Sequence, residues 1–305
     1  MMSASEDDAA TGLHGFRTVE PFGPMRPGNS VATFAIHVAV GDLTAMSTAN
    51  IDEALHRALF IPGFTGSKED FLSFFGVLDN DHSDRQQRAL VSFSQRGQAD
   101  SVAPVGTDHY RLTDFVDDGC AVLEALGALD HPIDLVGHSF GGLVARRLAI
   151  ARPDLVRSVV LFSSGAKPIP AAADVNPVID VLRQHGSAAV FRGAYPDLED
   201  EPQSDPHTEM VRLRAHASSL DNLLAMADIL GRFDDVTDAL AASGVPVAVV
   251  YGHDDLVWPT EMYDEEAHRL GIEPIVIDHA AHSAQIENPD AFADALTGFW
   301  DHVAD

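Results

Sequence analysis

Short apolar runs recur along the chain at intervals that predict buried strands. The first two runs flank a segment rich in Gly and Pro and predict an antiparallel opening pair. The later runs are short and continuously apolar, as is typical of parallel strands that are covered on both faces. In chain order, the predicted strands are residues 16–22, 31–40, 58–61, 89–93, 133–136, 159–162, 247–251 and 274–277.

Helical patterns fill the intervals between these strands. Ser67 followed by Asp70 predicts a helix start, and apolar positions continue at helical spacing over residues 71–78. Residues 112–126 predict a second amphipathic helix, and Pro289 predicts the start of the last one. The alternation predicts an α/β fold built on a doubly wound, mostly parallel, eight-stranded sheet.

One interval breaks this alternation. Residues 167–233 contain helical patterns and an acidic loop punctuated by Pro, but no run that predicts a strand. We interpret the interval as a helical cap inserted into a core that comprises residues 15–166 and 234–305. Residues 1–14 are predicted to form a flexible acidic tail.

The composition argues against several classes of protein. No apolar run approaches the roughly 20 residues of a membrane helix, and the N-terminal residues lack the pattern of a signal peptide. The net charge of −28 repels nucleic-acid phosphates and anionic lipid surfaces. Cys120 is the sole cysteine, so no internal disulfide can form. We therefore expect a cytoplasmic protein that binds neither nucleic acid nor membrane, of undetermined oligomeric state.

A strand, a sharp turn and a helix meet around Ser139. The apolar residues 133–136 run directly into Gly-His-Ser-Phe-Gly at positions 137–141, and a helical pattern follows. Small residues two before and two after a serine relieve crowding in the turn that exposes a nucleophile. Ser139 is therefore the candidate nucleophile.

Partners for this serine occur later in the chain. A hydroxyl is a poor nucleophile at neutral pH, so it requires a histidine base and an acid that orients the histidine. Asp254 and Asp255 follow one predicted strand, and His279 and His282 follow the next. His282 is the candidate base, while these residues alone leave the choice between the two aspartates open.

The segments around Ser139, Asp255 and His282 resemble those of the α/β-hydrolase superfamily. The resemblance covers the chain apart from the first dozen or so residues. The acid loop of that family reads Gly, two residues, Asp, three residues, Pro, and this pattern places the acid at Asp255. Its histidine segment reads His, four residues, Glu, one residue, Pro, and places the base at His282. Ala281 stands where the family usually has glycine.

A glycine turn after the strand of residues 58–61 is similar to the family's oxyanion loop. The resemblance implies that the backbone N–H groups of Phe64 and Phe140 hold the developing negative oxygen. Pro62 replaces the usual histidine of that loop. Residues 94–101 also depart from the family's pattern, which bears on loop geometry rather than on the catalytic residues.

The resemblance implies a capped, esterase-like serine hydrolase. It would cleave a carboxylic ester or related acyl bond of a small molecule through an acyl-enzyme, with Ser139, His282 and Asp255 as the triad. A serine at the turn argues against the relatives that use an aspartate nucleophile. Carbon–carbon bond hydrolases, a cofactor-free lyase, proline-type aminopeptidases and non-catalytic ligand-binding proteins share these motifs and stay open as alternatives.

Four further residues are candidates for substrate binding. His138 and Trp258 adjoin the predicted catalytic segments, while Phe191 and Met226 belong to the predicted cap. A cap would cover the sheet edge at which open α/β folds bind ligands. The histidines and aspartates of the two loops are also metal-ligand types, but such ligands usually lie on a helix or have further partners. We therefore predict no metal and no cofactor.

Overall fold

Strands and helices alternate along most of the chain. The computed structural model describes residues 15–24, 31–48, 51, 54–81, 88–169 and 176–303. The strands are β1 (Arg17–Thr18), β2 (Val31–Val38), β3 (Gly41–Thr48), β4 (His56–Ile61), β5 (Arg88–Phe93), β6 (Ile133–His138), β7 (Val156–Phe162), β8 (Val247–Gly252) and β9 (Ile275–Ile277). The helices are α1 (Leu72–Asp81), α2 (Leu112–Ala125), α3 (Phe140–Ala151), α4 (Asn176–His185), α5 (Ala189–Ala194), α6 (Pro206–Ala217), α7 (Leu220–Leu230), α8 (Thr237–Ser243), α9 (Thr260–Leu270), α10 (Ala284–Glu287) and α11 (Pro289–Val303). The predicted flexible tail, residues 1–14, lies outside the described residues.

One sheet contains all of these strands, in the order β1-β2-β3-β5-β4-β6-β7-β8-β9. The pairs β1–β2, β2–β3 and β3–β5 are antiparallel, and every pairing from β5 to β9 is parallel. The predicted α/β fold with a mostly parallel sheet is confirmed. The carboxyl ends of six parallel strands therefore meet at one edge.

The described residues hold nine strands rather than the predicted eight, because the sequence pattern does not reveal β3. This strand buries polar side chains that ordinarily mark a loop. Thr44 Oγ1 donates to Asp100 Oδ1 at 2.6 Å, and Thr48 Oγ1 accepts from the Leu90 N–H at 3.1 Å. Hydrogen-bonded threonines can be buried at low cost, so β3 lies inside the sheet without an apolar run.

Helices cover both faces of the sheet. Successive residues of β4 belong to different apolar clusters, Leu59 and Ile61 to one and Ala58 and Phe60 to the other. Because neighbouring strand residues point to opposite faces, the two clusters are the two faces of the sheet. Helices α2, α3, α8 and α9 contribute to the first cluster, and α1 and α11 to the second. This arrangement is the doubly wound architecture that the sequence predicts.

Helices α4 to α7 lie between β7 and β8, in the interval where a helical insertion is predicted. Its described residues, 167–169 and 176–233, form no strand. Met226 and Leu230 of α7 pack into the core cluster, while Phe191 and Val211 form part of a small separate one. The division of this 167–233 segment from the core as a cap domain stays a prediction.

The structure contains no helix, among the residues it describes, that combines the length and the apolar character needed to cross a bilayer.

Helix α3 packs unusually closely on the end of β4. A Cβ atom added at Gly141 would overlap the backbone carbonyl of Ile61, and one added at Gly137 would lie 2.5 Å from the carbonyl oxygen of Gly141. Backbone atoms cannot move aside as a flexible side chain can. Glycine at these positions therefore allows the helix to begin directly over the sheet.

We expect the Gly141→Ala substitution to lower the free energy of unfolding by about 2 kcal/mol or more, because the added methyl group overpacks against backbone. The matched control is Gly298→Ala in α11, where nothing lies within 4 Å of an added Cβ. That variant should gain about 0.5–1 kcal/mol from helix propensity. Urea denaturation of both variants measures the difference, and effects of the same sign would contradict the packing account.

Candidate active site

A strained turn holds Ser139 between β6 and α3. Its backbone angles are φ 54° and ψ −118°, in a region that residues other than glycine rarely occupy. The Ser139 N–H donates to the carbonyl oxygen of Phe162 at 2.9 Å, which ties the turn to the neighbouring strand β7. A Cβ atom at Gly63 would lie 3.2 Å from the Cβ of Ser139. The serine thus lies against the glycine turn that resembles an oxyanion loop.

The loops after β8 and β9 bring Asp255 and His282 together. His282 Nδ1 lies 3.0 Å from Asp255 Oδ2 and 3.2 Å from Oδ1. The neighbouring Asp254 instead lies exposed, with Oδ1 2.9 Å from His253 Nδ1. Of the two aspartates, Asp255 is therefore the one that contacts His282.

Asp255 is almost completely buried, yet it stays a carboxylate. Burial alone raises the pKa of Asp255, but hydrogen bonds from His282, the Val257 N–H and the Tyr263 hydroxyl outweigh it and leave the pKa below its ordinary value. A charged Asp255 favours the Nδ1–H tautomer of His282, which leaves Nε2 as an acceptor. This is the arrangement that a histidine base requires.

A cavity of about 340 Å³ contains Ser139 and His282 together. Apolar and polar side chains from the core loops and from the 167–233 segment line it. They belong to Gly63, Phe64, Thr65, Gly66, Asp70, His138, Ser139, Ile169, His207, Val211, Arg214, Leu230, Val257, His282, Ser283, Gln285 and Ile286. A cavity of this size accommodates a small organic molecule.

The two predicted oxyanion donors come from different segments of the chain. Phe64 lines the cavity, and Phe140 is the first residue of α3, where helix N–H groups have no partner within the helix. The Phe140 ring itself is buried and packs edge-on against Phe115, with ring centroids 5.2 Å apart. The side chain of Phe140 therefore belongs to the packed interior, and its predicted role as a donor concerns the backbone N–H alone.

Two glutamines support the glycine turn. Gln95 Nε2 donates to the Pro62 carbonyl at 3.0 Å, and Gln98 Nε2 donates to the Gly63 carbonyl at 2.7 Å. Gln98 Oε1 also accepts from the Gln95 N–H at 2.9 Å. Both glutamines belong to the segment 94–101 that departs from the family pattern. Their side chains brace the loop in which Pro62 replaces the usual histidine.

Of the predicted substrate-binding residues, His138 lines the cavity. Trp258, Phe191 and Met226 are fully buried and lie outside the cavity lining. Trp258 Nε1 donates to the carbonyl oxygen of Lys167 at 3.0 Å, so this ring anchors the start of the 167–233 segment. These three side chains therefore pack in the interior of the protein.

An ion pair at the cavity was not predicted from the sequence. Arg214 of α6 pairs with Asp70, and both side chains line the cavity. Arg214 Nη1 also lies 3.5 Å from Ser67 Oγ. The apolar residues of α6 do not form one clear stripe, so the sequence alone does not show that Arg214 faces the cavity.

The family follows from comparison of the whole chain with known proteins. Residues 58–295 match the model of the alpha/beta hydrolase family. The chain belongs to the alpha/beta hydrolase family. As a member of it, the protein is a hydrolase.

Two curated relatives and one solved structure illustrate the similarity. The chain is 24% identical over 247 residues, 78% of this chain and 90% of the relative, to "Putative carbamate hydrolase RutD" of Pseudomonas savastanoi pv. phaseolicola. It is 28% identical over 194 residues, 60% of this chain and 75% of the relative, to a pimeloyl-[acyl-carrier protein] methyl ester esterase of Neisseria meningitidis. The enol-lactonase of Burkholderia xenovorans has a similar fold, with a TM-score of 0.72 and 20% identity over 88% of this hydrolase and 99% of that chain.

The burial of His138 should make the stability of the fold depend on pH. Its Nε2 donates to the carbonyl oxygen of His282 at 2.8 Å, and its buried Nδ1 has no hydrogen-bond partner among the described residues. Burial, with the neighbouring His282 ring second, lowers the pKa of His138 to about 4. The folded hydrolase therefore holds this ring neutral under conditions in which the unfolded chain protonates it.

We expect His138 to make the fold less stable as pH falls below about 6.5, because the unfolded state then binds a proton that the folded state does not. This loss should level off below pH 4, where both states bind it. Between pH 7 and pH 4.5 the wild type should lose about 2 kcal/mol more unfolding free energy than His138→Gln, which keeps a donor but cannot titrate. Urea titrations at both pH values test this, and parallel losses in the two proteins would refute it.

Proposed function

We propose that this hydrolase cleaves a carboxylic ester or related acyl bond of a small molecule through a catalytic triad of Ser139, His282 and Asp255. One observation carries the proposal. His282 Nδ1 lies 3.0 Å from a buried carboxylate of Asp255, and His282 shares a cavity with a serine held at a strained strand-to-helix turn. The combination of a nucleophile, a base and an orienting acid is the requirement for acyl transfer by serine.

The reaction begins with attack of Ser139 Oγ on the substrate carbonyl, while His282 Nε2 accepts the hydroxyl proton. Asp255 stabilises the imidazolium that forms, and the N–H groups of Phe64 and Phe140 stabilise the oxyanion. The protonated His282 then donates its proton to the leaving group, which gives the acyl-enzyme. Water, activated by the same histidine, attacks the acyl carbonyl and releases the acid and free Ser139.

The names of the relatives support acyl chemistry of this kind. A carbamate, a methyl ester and an enol lactone each contain a carbonyl carbon bonded to a heteroatom leaving group. The reaction on each such carbonyl proceeds through a tetrahedral intermediate with a negatively charged oxygen, whichever leaving group is present. Because the relatives differ in leaving group, they support the class of reaction and do not select a substrate.

We expect Ser139→Ala to abolish labelling by a fluorophosphonate probe and to lower turnover of p-nitrophenyl acetate and butyrate by at least about 10³-fold. The variant loses the nucleophile and keeps the fold, since alanine only removes a hydroxyl. Ser73→Ala, an exposed serine on α1, is the matched control and should be labelled and turn over substrate like the wild type.

Labelling of the Ser139→Ala protein would contradict the assignment of the nucleophile. Wild-type turnover no faster than that of this variant would favour a non-catalytic ligand-binding protein on the same fold. A panel of esters, thioesters, lactones and amino-acid naphthylamides then separates esterase from lactonase and aminopeptidase activity.

The assignment of the acid has its own test. We expect Asp255→Asn to lower kcat by about 10³- to 10⁴-fold, because the amide no longer favours the productive His282 tautomer or stabilises the imidazolium. Asp254→Asn makes the same change one residue away, at an exposed side chain that contacts His253, and should stay within about 2-fold of the wild type. Steady-state kinetics of the two variants compare them, and similar losses in both would count against Asp255.

A further inference from the structure

The carboxylate of Asp255 has a partner besides the histidine and its own loop. The hydroxyl of Tyr263, on helix α9, donates to Asp255 Oδ2 at 2.8 Å. The Val257 N–H donates to the other oxygen at 2.9 Å. Each oxygen of Asp255 therefore carries one fixed hydrogen bond in addition to its approach to His282, and the plane of the carboxylate is defined from both sides.

Tyr263 is held rigidly in the core. Its side chain is fully buried, and its ring stacks on that of Tyr251 with centroids 4.7 Å apart and an interplanar angle of 19°. Burial, with the charge of Asp255 second, raises the pKa of Tyr263. The phenol therefore stays protonated and acts toward Asp255 only as a donor.

A buried ion pair fixes the helix that carries Tyr263. Glu266, one turn further along α9, accepts two hydrogen bonds from Arg146, at 2.9 Å from Nε and 2.7 Å from Nη2. Arg146 belongs to α3, the helix that begins directly after Ser139, and its Nη1 also donates to Ser164 Oγ at 2.8 Å. The two parallel hydrogen bonds between the guanidinium of Arg146 and the carboxylate of Glu266 join α9 to α3. The tyrosine behind the acid and the helix behind the nucleophile therefore form one connected unit.

We propose that Tyr263 is a positioning residue for the reaction: its hydroxyl orients Asp255 and disperses part of its negative charge, and so sets how strongly Asp255 holds protonated His282. The proposal rests on the triad function given above, because Tyr263 acts through Asp255 and does not line the cavity. A purely structural tyrosine would support the same packing without affecting the protonation of the histidine.

The groups that surround Asp255 make this effect separable from other charges. Arg146 and Glu266 are buried and paired with each other, so they contribute little net charge at Asp255. On the loop of Asp255 itself, Asp254 and His253 are exposed and paired with each other. Among the described residues, His282 after β9, His138 at the end of β6 and Tyr263 on α9 also act on Asp255 or on its neighbours. His207 and Arg214 of α6, and Asp70, which pairs with Arg214, also line the cavity.

The test is Tyr263→Phe, which removes one hydroxyl from a buried ring. We expect kcat to fall about 10-fold with KM changed less than about 2-fold, because a less constrained carboxylate positions His282 less well. We also expect the acidic limb of kcat/KM to move to higher pH. Without the hydroxyl, the more concentrated charge of Asp255 holds the imidazolium more strongly, so a higher pH is needed to free the base.

Tyr251→Phe is the matched control. It removes the same group from the ring stacked on Tyr263, but the Tyr251 hydroxyl donates to Asp264 Oδ1 at 2.8 Å and has no contact with the acid. The control should keep the kcat and the pH profile of the wild type. Equal behaviour of the two variants, in kcat and in the acidic limb, would overturn the proposal.

A double-variant cycle tests the route through Asp255. In an Asp255→Asn background, adding Tyr263→Phe should change kcat by less than about 2-fold, because the charge to be oriented has gone. A full loss in that background would overturn the proposal. Should Tyr263→Phe fail to fold, 3-fluorotyrosine at position 263 keeps the hydroxyl and makes it a stronger donor, and should move the acidic limb to lower pH. An unchanged limb would again overturn it.

Failure of the underlying function is distinguishable from failure of this inference. If Ser139→Ala keeps the activity and the probe labelling of the wild type, the triad itself is wrong. If Ser139→Ala is inactive while Tyr263→Phe matches Tyr251→Phe, the triad stands and only the role of Tyr263 is lost.

Discussion

The backbone turn at Ser139 is the constraint on which the site depends. A residue with φ 54° joins β6 to α3 without an intervening linker, at a strain cost of order 1–3 kcal/mol. The turn is possible only because glycines at positions 137 and 141 let the helix lie against backbone atoms. The same close packing projects the serine at the edge where the parallel strands end, so every other functional group has to reach this point from a neighbouring strand.

The loops after β8 and β9 lie close to Ser139, and backbone hydrogen bonds join them where the two strands end. The His253 N–H donates to the Ile277 carbonyl and the Asp254 N–H to the Ala280 carbonyl, both at 2.9 Å. A Cβ atom at Gly252 would overlap the carbonyls of that second loop. Motif spacing could predict that Asp255 and His282 come into contact, and that His282 shares a cavity with Ser139, because each spacing reflects a local backbone requirement of this kind. The pairing of Asp255 with His282 is a direct consequence of two short loops at adjacent strand ends.

Features that arise from distant segments were not predictable in the same way. Strand β3 was not predicted, because its buried threonines form their hydrogen bonds with loop and strand partners far along the chain. Gln95 and Gln98 brace the glycine turn although their segment departs from the family pattern. Phe191, which is predicted to bind substrate, packs in a small helical cluster and lies outside the cavity lining. Hydrophobicity alone does not distinguish a cavity wall from packed interior.

Buried ion pairs and the acidic surface of the protein respond differently to salt. Arg146 with Glu266 and Arg96 with Asp118 each join segments that are far apart in sequence. Arginine suits this role because its fork pairs with a carboxylate through two donors at once. Such buried pairs are screened little by salt, whereas the field of a chain with net charge −28 is screened within about 10 Å at 0.1 M salt. Ionic strength therefore acts on the approach of charged ligands and on the surface, while the hydrogen bonds that orient Asp255 are set by the interior.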